Sequence, residues 1–124
     1  MNSEKLKQLV IEALEDIKGQ DIVALDVKKQ TDITDHMIVA SGTTSRQVKA
    51  LVDSVVVKAK AEDVSIIGVE GMDTAEWVLV DLADVIVHVM LPKVRDFYDL
   101  EQLWSFRQNR KEEEQGYNGM FGKL

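Results

Sequence analysis

Glu70, Asp81 and Asp84 are the side chains of this 124-residue chain best suited to hold a divalent cation. Carboxylates that bridge magnesium to a triphosphate are what nucleotidyl transfer requires. The sequence lacks the rest of that chemistry. No Gly-x-x-x-x-Gly-Lys loop supplies a phosphate-binding lysine, and the surrounding acidity repels a polyanion unless metal is bound. Gly42-Thr43-Thr44-Ser45, ahead of Arg46, is a second candidate, because amides and a helix dipole at a strand-to-helix turn can hold phosphate. Such a turn needs small capping residues anyway, so capping is the favoured reading. His36 and His88 are the two histidines, with no zinc-site spacing and no Gly-x-Ser-x-Gly beside them. The chain has no cysteine, which removes thiolate metal sites, disulfides and cysteine nucleophiles. These observations favour a protein that is not an enzyme and uses no cofactor or metal.

The stretch Trp77-Val-Leu-Val-Asp-Leu-Ala-Asp-Val-Ile-Val-His-Val-Met90 reads as two strands joined by a tight acidic turn. With Leu82 and Ala83 as a two-residue loop, Asp81 pairs with Asp84, Leu79 with Ile86, and Trp77 with His88. Period-two alternation then puts those six side chains on one face. Val78, Val80, Val85, Val87 and Val89 form the other, the β-branched surface expected under helices. A face that combines tryptophan, histidine, two aliphatic residues and two carboxylates is shaped for a partner outside the fold.

Charge points the same way. The net charge of -7 is unevenly spread: residues 1–61 hold nine acids and nine bases, residues 62–104 hold ten acids against Lys93 and Arg95, and residues 105–124 hold three acids and four bases. All the excess negative charge belongs to the segment that contains the hairpin. A basic partner follows, and direct nucleic-acid binding is disfavoured. No apolar run approaches the roughly 18 residues of a membrane span, and Met-Asn-Ser-Glu-Lys leads straight into an amphipathic pattern, which predicts a soluble, cytoplasmic protein with no membrane contact.

Around the hairpin, Leu6, Val10, Ala13, Leu14 and Ile17 recur at helical spacing, with Ser3 as N-cap and Gly19 as the stop. Strands are predicted over 22–27, 36–41 and 65–69. A helix carrying Val48, Leu51, Val52, Val55 and Ala59 lies between the last two. Pro92 opens a final helix with Val94, Phe97, Leu100, Leu103 and Trp104 on its apolar side. The order helix, two strands, helix, three strands, helix implies one α/β domain over 1–106, with a mixed five-stranded sheet and flanking helices. Residues 107–124 carry three glycines and no amphipathic period, and read as a flexible charged tail.

Asp32-Ile-Thr-Asp35, Gly42-Thr-Thr-Ser-Arg46, Gly68-Val-Glu-Gly71 and the Trp77–Met90 hairpin, in that order and spacing, closely resemble the ribosomal silencing factor (Iojap) family over residues 3–104. The resemblance implies a nucleotidyltransferase-like α/β topology without the transfer activity. It also implies a translational repressor that docks on the large ribosomal subunit at the ribosomal protein numbered fourteen and sterically blocks the small subunit. Its binding surface carries over to Trp77, Asp81 and Asp84, beside Leu79, Ile86 and His88, and a homodimer of the free protein is compatible with it. A large-subunit assembly factor and a magnesium-dependent nucleotidyltransferase-like enzyme are the alternatives. Ala83 stands where the family usually has glycine. Alanine disfavours the positive φ of a type I′ turn, which argues for a wider loop.

Overall fold

The chain enters its first helix where the Asn2 side chain accepts from the amide of Lys5 (2.8 Å), so Asn2 is the N-cap and not the predicted Ser3. In the computed structural model, which describes residues 1–100 and 102, this helix, α1, spans Ser3–Asp16 and buries Leu6, Val10, Ala13 and Leu14. Lys18 takes the left-handed position beyond its end (φ 59°), and the Gly19 amide donates to the Leu14 carbonyl at 2.8 Å. Then follow β1 (Gln20–Asp26), β2 (His36–Ser41), α2 (Ser45–Ala61), β3 (Gly68–Glu70), β4 (Trp77–Asp81), β5 (Val85–Met90) and α3 (Pro92–Tyr98). The order is the predicted one. The third strand, placed by sequence over 65–69, begins only at Gly68.

The sheet order is β1-β2-β5-β4-β3, with β2 and β5 parallel and every other pair antiparallel. Both central strands are buried along their whole length. On one face Val78, Val80, Val85, Val87 and Val89 join Ile38 and Ala40 under the apolar stripes of α1 and α2, as alternation predicts. On the other, Val27, Met37, Val39, Met90 and Leu100 form a second, smaller core against which Leu25, Trp77 and Val94 pack. The two long helices are tied to each other where Ser54 Oγ of α2 donates to the Ala13 carbonyl of α1 at 2.8 Å.

The hairpin register differs from the predicted one. Trp77 pairs with Met90, Leu79 with His88 and Asp81 with Ile86, and the loop is Ala83-Asp84, closed by the Leu82 amide donating to the Val85 carbonyl (3.0 Å). Each predicted partner is displaced by two residues, an even step that leaves every strand side chain on its predicted face and moves only Asp84 from the face into the turn. The turn does not widen. Ala83 adopts φ 68°, and the Asp84 amide donates to the Leu82 carbonyl (2.9 Å), which makes a γ-turn of the rare positive-φ hand. A Cβ at positive φ is strained, so Ala83→Gly is expected to stabilise the fold by about 0.5–1 kcal/mol, or a few degrees in Tm. Urea unfolding measures this. An unchanged or lowered midpoint would show that the turn carries no strain.

α3 is shorter than predicted. Asp99 breaks it in the left-handed region (φ 48°), and Leu100 reaches the second core from beyond the break. Phe97, predicted on the apolar side, is 81% exposed. Leu103, Trp104 and the predicted tail over 107–124 lie outside the described residues.

Candidate partner-binding face

Alternation along β4 turns Trp77, Leu79 and Asp81 away from α1 and α2, and all three are partly buried. Their neighbours on β5 lie deeper: His88 is 0% exposed and Ile86 3%. Asp84 sits exposed in the turn rather than on the sheet face. The six predicted residues therefore fall at two depths. Trp77, Leu79, Asp81 and Asp84 reach solvent, while Ile86 and His88 lie beneath them and offer a partner no surface.

Trp77 is contacted by rings on two sides. Its indole Nε1–H donates to Nδ1 of His88 at 2.9 Å, with the ring centroids 5.9 Å apart and tilted by 50°. The Tyr98 ring lies 4.6 Å away at 49°, and Phe97 meets Tyr98 edge-on at 5.0 Å. The result is an aromatic ledge, Trp77-Tyr98-Phe97, rising from the second core to solvent. Sequence reasoning missed Tyr98. Its i, i+4 spacing from Val94 was the available signal, since such residues share a helix face.

An indole only donates, so His88 accepts with Nδ1 and keeps its own proton on Nε2. Burial pushes its pKa down from 6.5 to about 3, because the charged ring would lose its hydration. Stability from this site is therefore complete above pH 6.5. As pH falls from 6.5 towards 3, the unfolded chain takes up a proton that the folded one refuses. The expected loss is about 1.4 kcal/mol per pH unit, or about 2 kcal/mol at pH 5. Urea titrations of the parent and His88→Gln at pH 7.5 and 5 isolate the effect, since the variant should lack that part of the loss. Equal losses in both would contradict a neutral, buried His88.

The carboxylates do not converge. Asp81 Oδ1 accepts from the Ala83 amide at 2.8 Å, Asp84 projects from the turn, and Glu70 stands on the edge strand opposite Leu79. Among the described residues, no group of three His, Cys, Asp or Glu side chains could hold a metal ion. The Asp84 carbonyl accepts from the amides of Asp35 (2.9 Å) and His36 (3.1 Å), which brings the Asp32–Asp35 motif beside the hairpin tip. Arg95, one of the two bases in the acidic segment, is turned inward. It is 8% exposed and donates to Ser41 Oγ at 3.0 Å, which removes its charge from the surface. Glu76 adjoins Trp77 in the chain, Glu70 faces Leu79 from the edge strand, and Asp81 and Asp84 mark the far end of the hairpin.

The Gly42–Arg46 turn is a cap. Thr44 Oγ1 accepts from the Gln47 amide at 3.1 Å, and Gln47 Oε1 accepts from the amide and hydroxyl of Thr43 at 2.7 and 2.8 Å. Gln47 Nε2 also donates to the Ile17 and Lys18 carbonyls (3.3 and 3.2 Å), which joins the start of α2 to the end of α1. His36, on the opposite side of the sheet from His88, is buried with Nε2 3.4 Å from a Glu4 carboxylate oxygen. No described helix is long and apolar enough to cross a membrane.

The family described as "Ribosomal silencing factor during starvation" matches residues 1–119. A Chromobacterium violaceum protein named ribosomal silencing factor RsfS is 58% identical over 104 residues, covering 84% of this chain and 85% of its own length. A crystal structure of a protein from the same organism superposes with a TM-score of 0.84 at 57% identity, covering 85% of this chain and 88% of that one. A mouse protein named mitochondrial assembly of ribosomal large subunit protein 1 is 30% identical over 102 residues, which are 80% of this chain and 45% of that protein.

Proposed function

The chain belongs to the ribosomal silencing factor family, and on that premise we propose that it represses translation by binding the large ribosomal subunit and blocking the small one. One observation carries the proposal: a partly buried tryptophan, braced by the His88 and Tyr98 rings, reaches the surface in the segment that holds ten acids and whose Arg95 is turned inward. Large aromatic anchors of this kind dominate binding energies, and an acidic surround steers towards a basic protein and away from RNA phosphate. The docking partner in this reading is the basic ribosomal protein numbered fourteen, contacted by Trp77, Leu79, Asp81 and Asp84, with Ile86 and His88 as their support. The topology is then nucleotidyltransferase-like in form and performs no transfer in the cytoplasm where it acts. The domain over 1–106 carries the whole of this activity. Phe97 and Tyr98, exposed beside the face, also support a homodimer of the free protein, which would compete with the ribosome if it used the same ledge.

The name of the mouse relative favours a second reading, a factor for assembly of the large subunit. Both kinds of protein would co-purify with that subunit, so co-purification does not separate them. Subunit joining does. Purified large and small subunits, mixed with rising amounts of the protein and resolved by sedimentation, should yield a falling fraction of complete ribosomes. An undiminished fraction at saturating, subunit-bound protein would sink the repressor reading and leave assembly. Calorimetry with magnesium and nucleoside triphosphates should show no heat of binding, and a saturable signal would revive the enzyme.

A further inference from the structure

His88 is 0% exposed on a strand buried from end to end, so whatever it does for a partner it does through another side chain. That side chain is Trp77. The two are not direct ladder partners: Trp77 faces Met90, and His88 faces Leu79. They meet on the diagonal, a separation that only long or aromatic side chains bridge, so backbone pairing alone does not choose the indole's rotamer. The 2.9 Å bond from Nε1–H to Nδ1 chooses it, and the Tyr98 ring at 4.6 Å limits it from another side.

We propose that His88 is a positioning residue for partner binding, which fixes Trp77 and takes up its indole N–H so that the ring is offered as a bare π-surface to a cationic side chain of the basic partner. An indole has one polar atom, and here it is committed inside the protein. A partner that claimed the N–H would strand a fully buried acceptor, which is costly. With that atom committed, what the partly buried ring offers to solvent is carbon, next to Glu76 in the chain and on the same sheet as Glu70, a setting that suits an arginine or lysine lying over the indole. Fixing the ring beforehand also spares the ordering entropy that a loose tryptophan would lose on docking.

The inference rests on the proposed large-subunit binding, and the test separates the two. In full-length protein carrying Trp104→Phe, so that Trp77 alone fluoresces, affinity for purified large subunits is compared among the parent, His88→Leu, His88→Gln and Trp77→Ala. His88→Leu fills similar space without an acceptor, and its affinity should fall about tenfold, the scale expected when a large side chain must be ordered on binding. His88→Gln, whose Oε1 can accept from the indole, should recover most of that loss and restore the parent's Trp77 emission. Full affinity in folded His88→Leu, or equal losses in the leucine and glutamine variants, would overturn the positioning role while leaving the docking face intact. Full affinity in Trp77→Ala would overturn the face itself. If His88→Leu fails to fold, the parent still decides: the indole N–H resonance should keep its hydrogen-bonded shift and slow exchange when the isolated basic ribosomal protein is added. Transfer of that bond to the partner would refute the inference.

Discussion

Trp77→Ala is expected to weaken binding to the large ribosomal subunit by about 2 kcal/mol or more, roughly thirtyfold, while leaving the protein folded. The size follows from where the ring sits. Trp77 packs on the second core and is only partly buried, so its truncation removes aromatic contact area from the proposed docking face. It also leaves His88 Nδ1 without the indole donor and the Tyr98 ring without one of its two ring neighbours. Equilibrium binding to purified subunits, with thermal unfolding as a check on folding, measures the loss. Parent-like affinity in a folded variant would move the docking surface elsewhere.

Gly71→Ala should have the largest effect on stability. Gly71 holds φ +99°, and a Cβ built there would lie 2.2 Å from the Trp77 carbonyl oxygen, a backbone atom that cannot step aside cheaply. The expected cost is about 2–4 kcal/mol, with Tm falling by on the order of 10 °C. Gly68, in the same Gly68-Val-Glu-Gly71 motif, supplies the control: a Cβ there meets nothing within 4 Å, so Gly68→Ala should leave unfolding almost unchanged. Similar midpoints for the two variants would show that the loop yields without cost. Because the clash falls on the first residue of β4, Gly71→Ala should also disturb the presentation of Trp77.

Much of this site was legible because strand alternation survives an even slip. The displaced pairing left Trp77, Leu79, Asp81, Ile86 and His88 on the predicted face and the five valines on the other, so the binary pattern alone was enough for both surfaces. The register itself was not legible. It depends on Ala83 accepting a positive φ, a local strain that propensity counts against and the surrounding pairings impose. Depth was also hidden. Nothing in the period of β5 distinguishes a histidine that contacts a partner from one sealed under Trp77, because the cover comes from β4 and from residues beyond β5. Phe97 was misplaced for a related reason: the helical spacing runs on through Asp99, where the chain breaks, and Leu100 takes the inward position from the other side of that break.

The parallel pairing of β2 with β5 has a consequence for how the protein comes into being. His36 aligns with Val85, on the order of fifty residues further along the chain, and this pair is the spine on which both cores are laid. Local pieces, the β1–β2 hairpin and the two long helices, can form within microseconds, but the spine must wait for a long loop to close. Folding speed should therefore respond to changes at Ile38 or Val87 more than to changes at the hairpin tip. A nascent chain that has not yet released β5 has no sheet for Trp77 to stand on. A factor of this family would thus acquire its grip only after the ribosome making it had released β5.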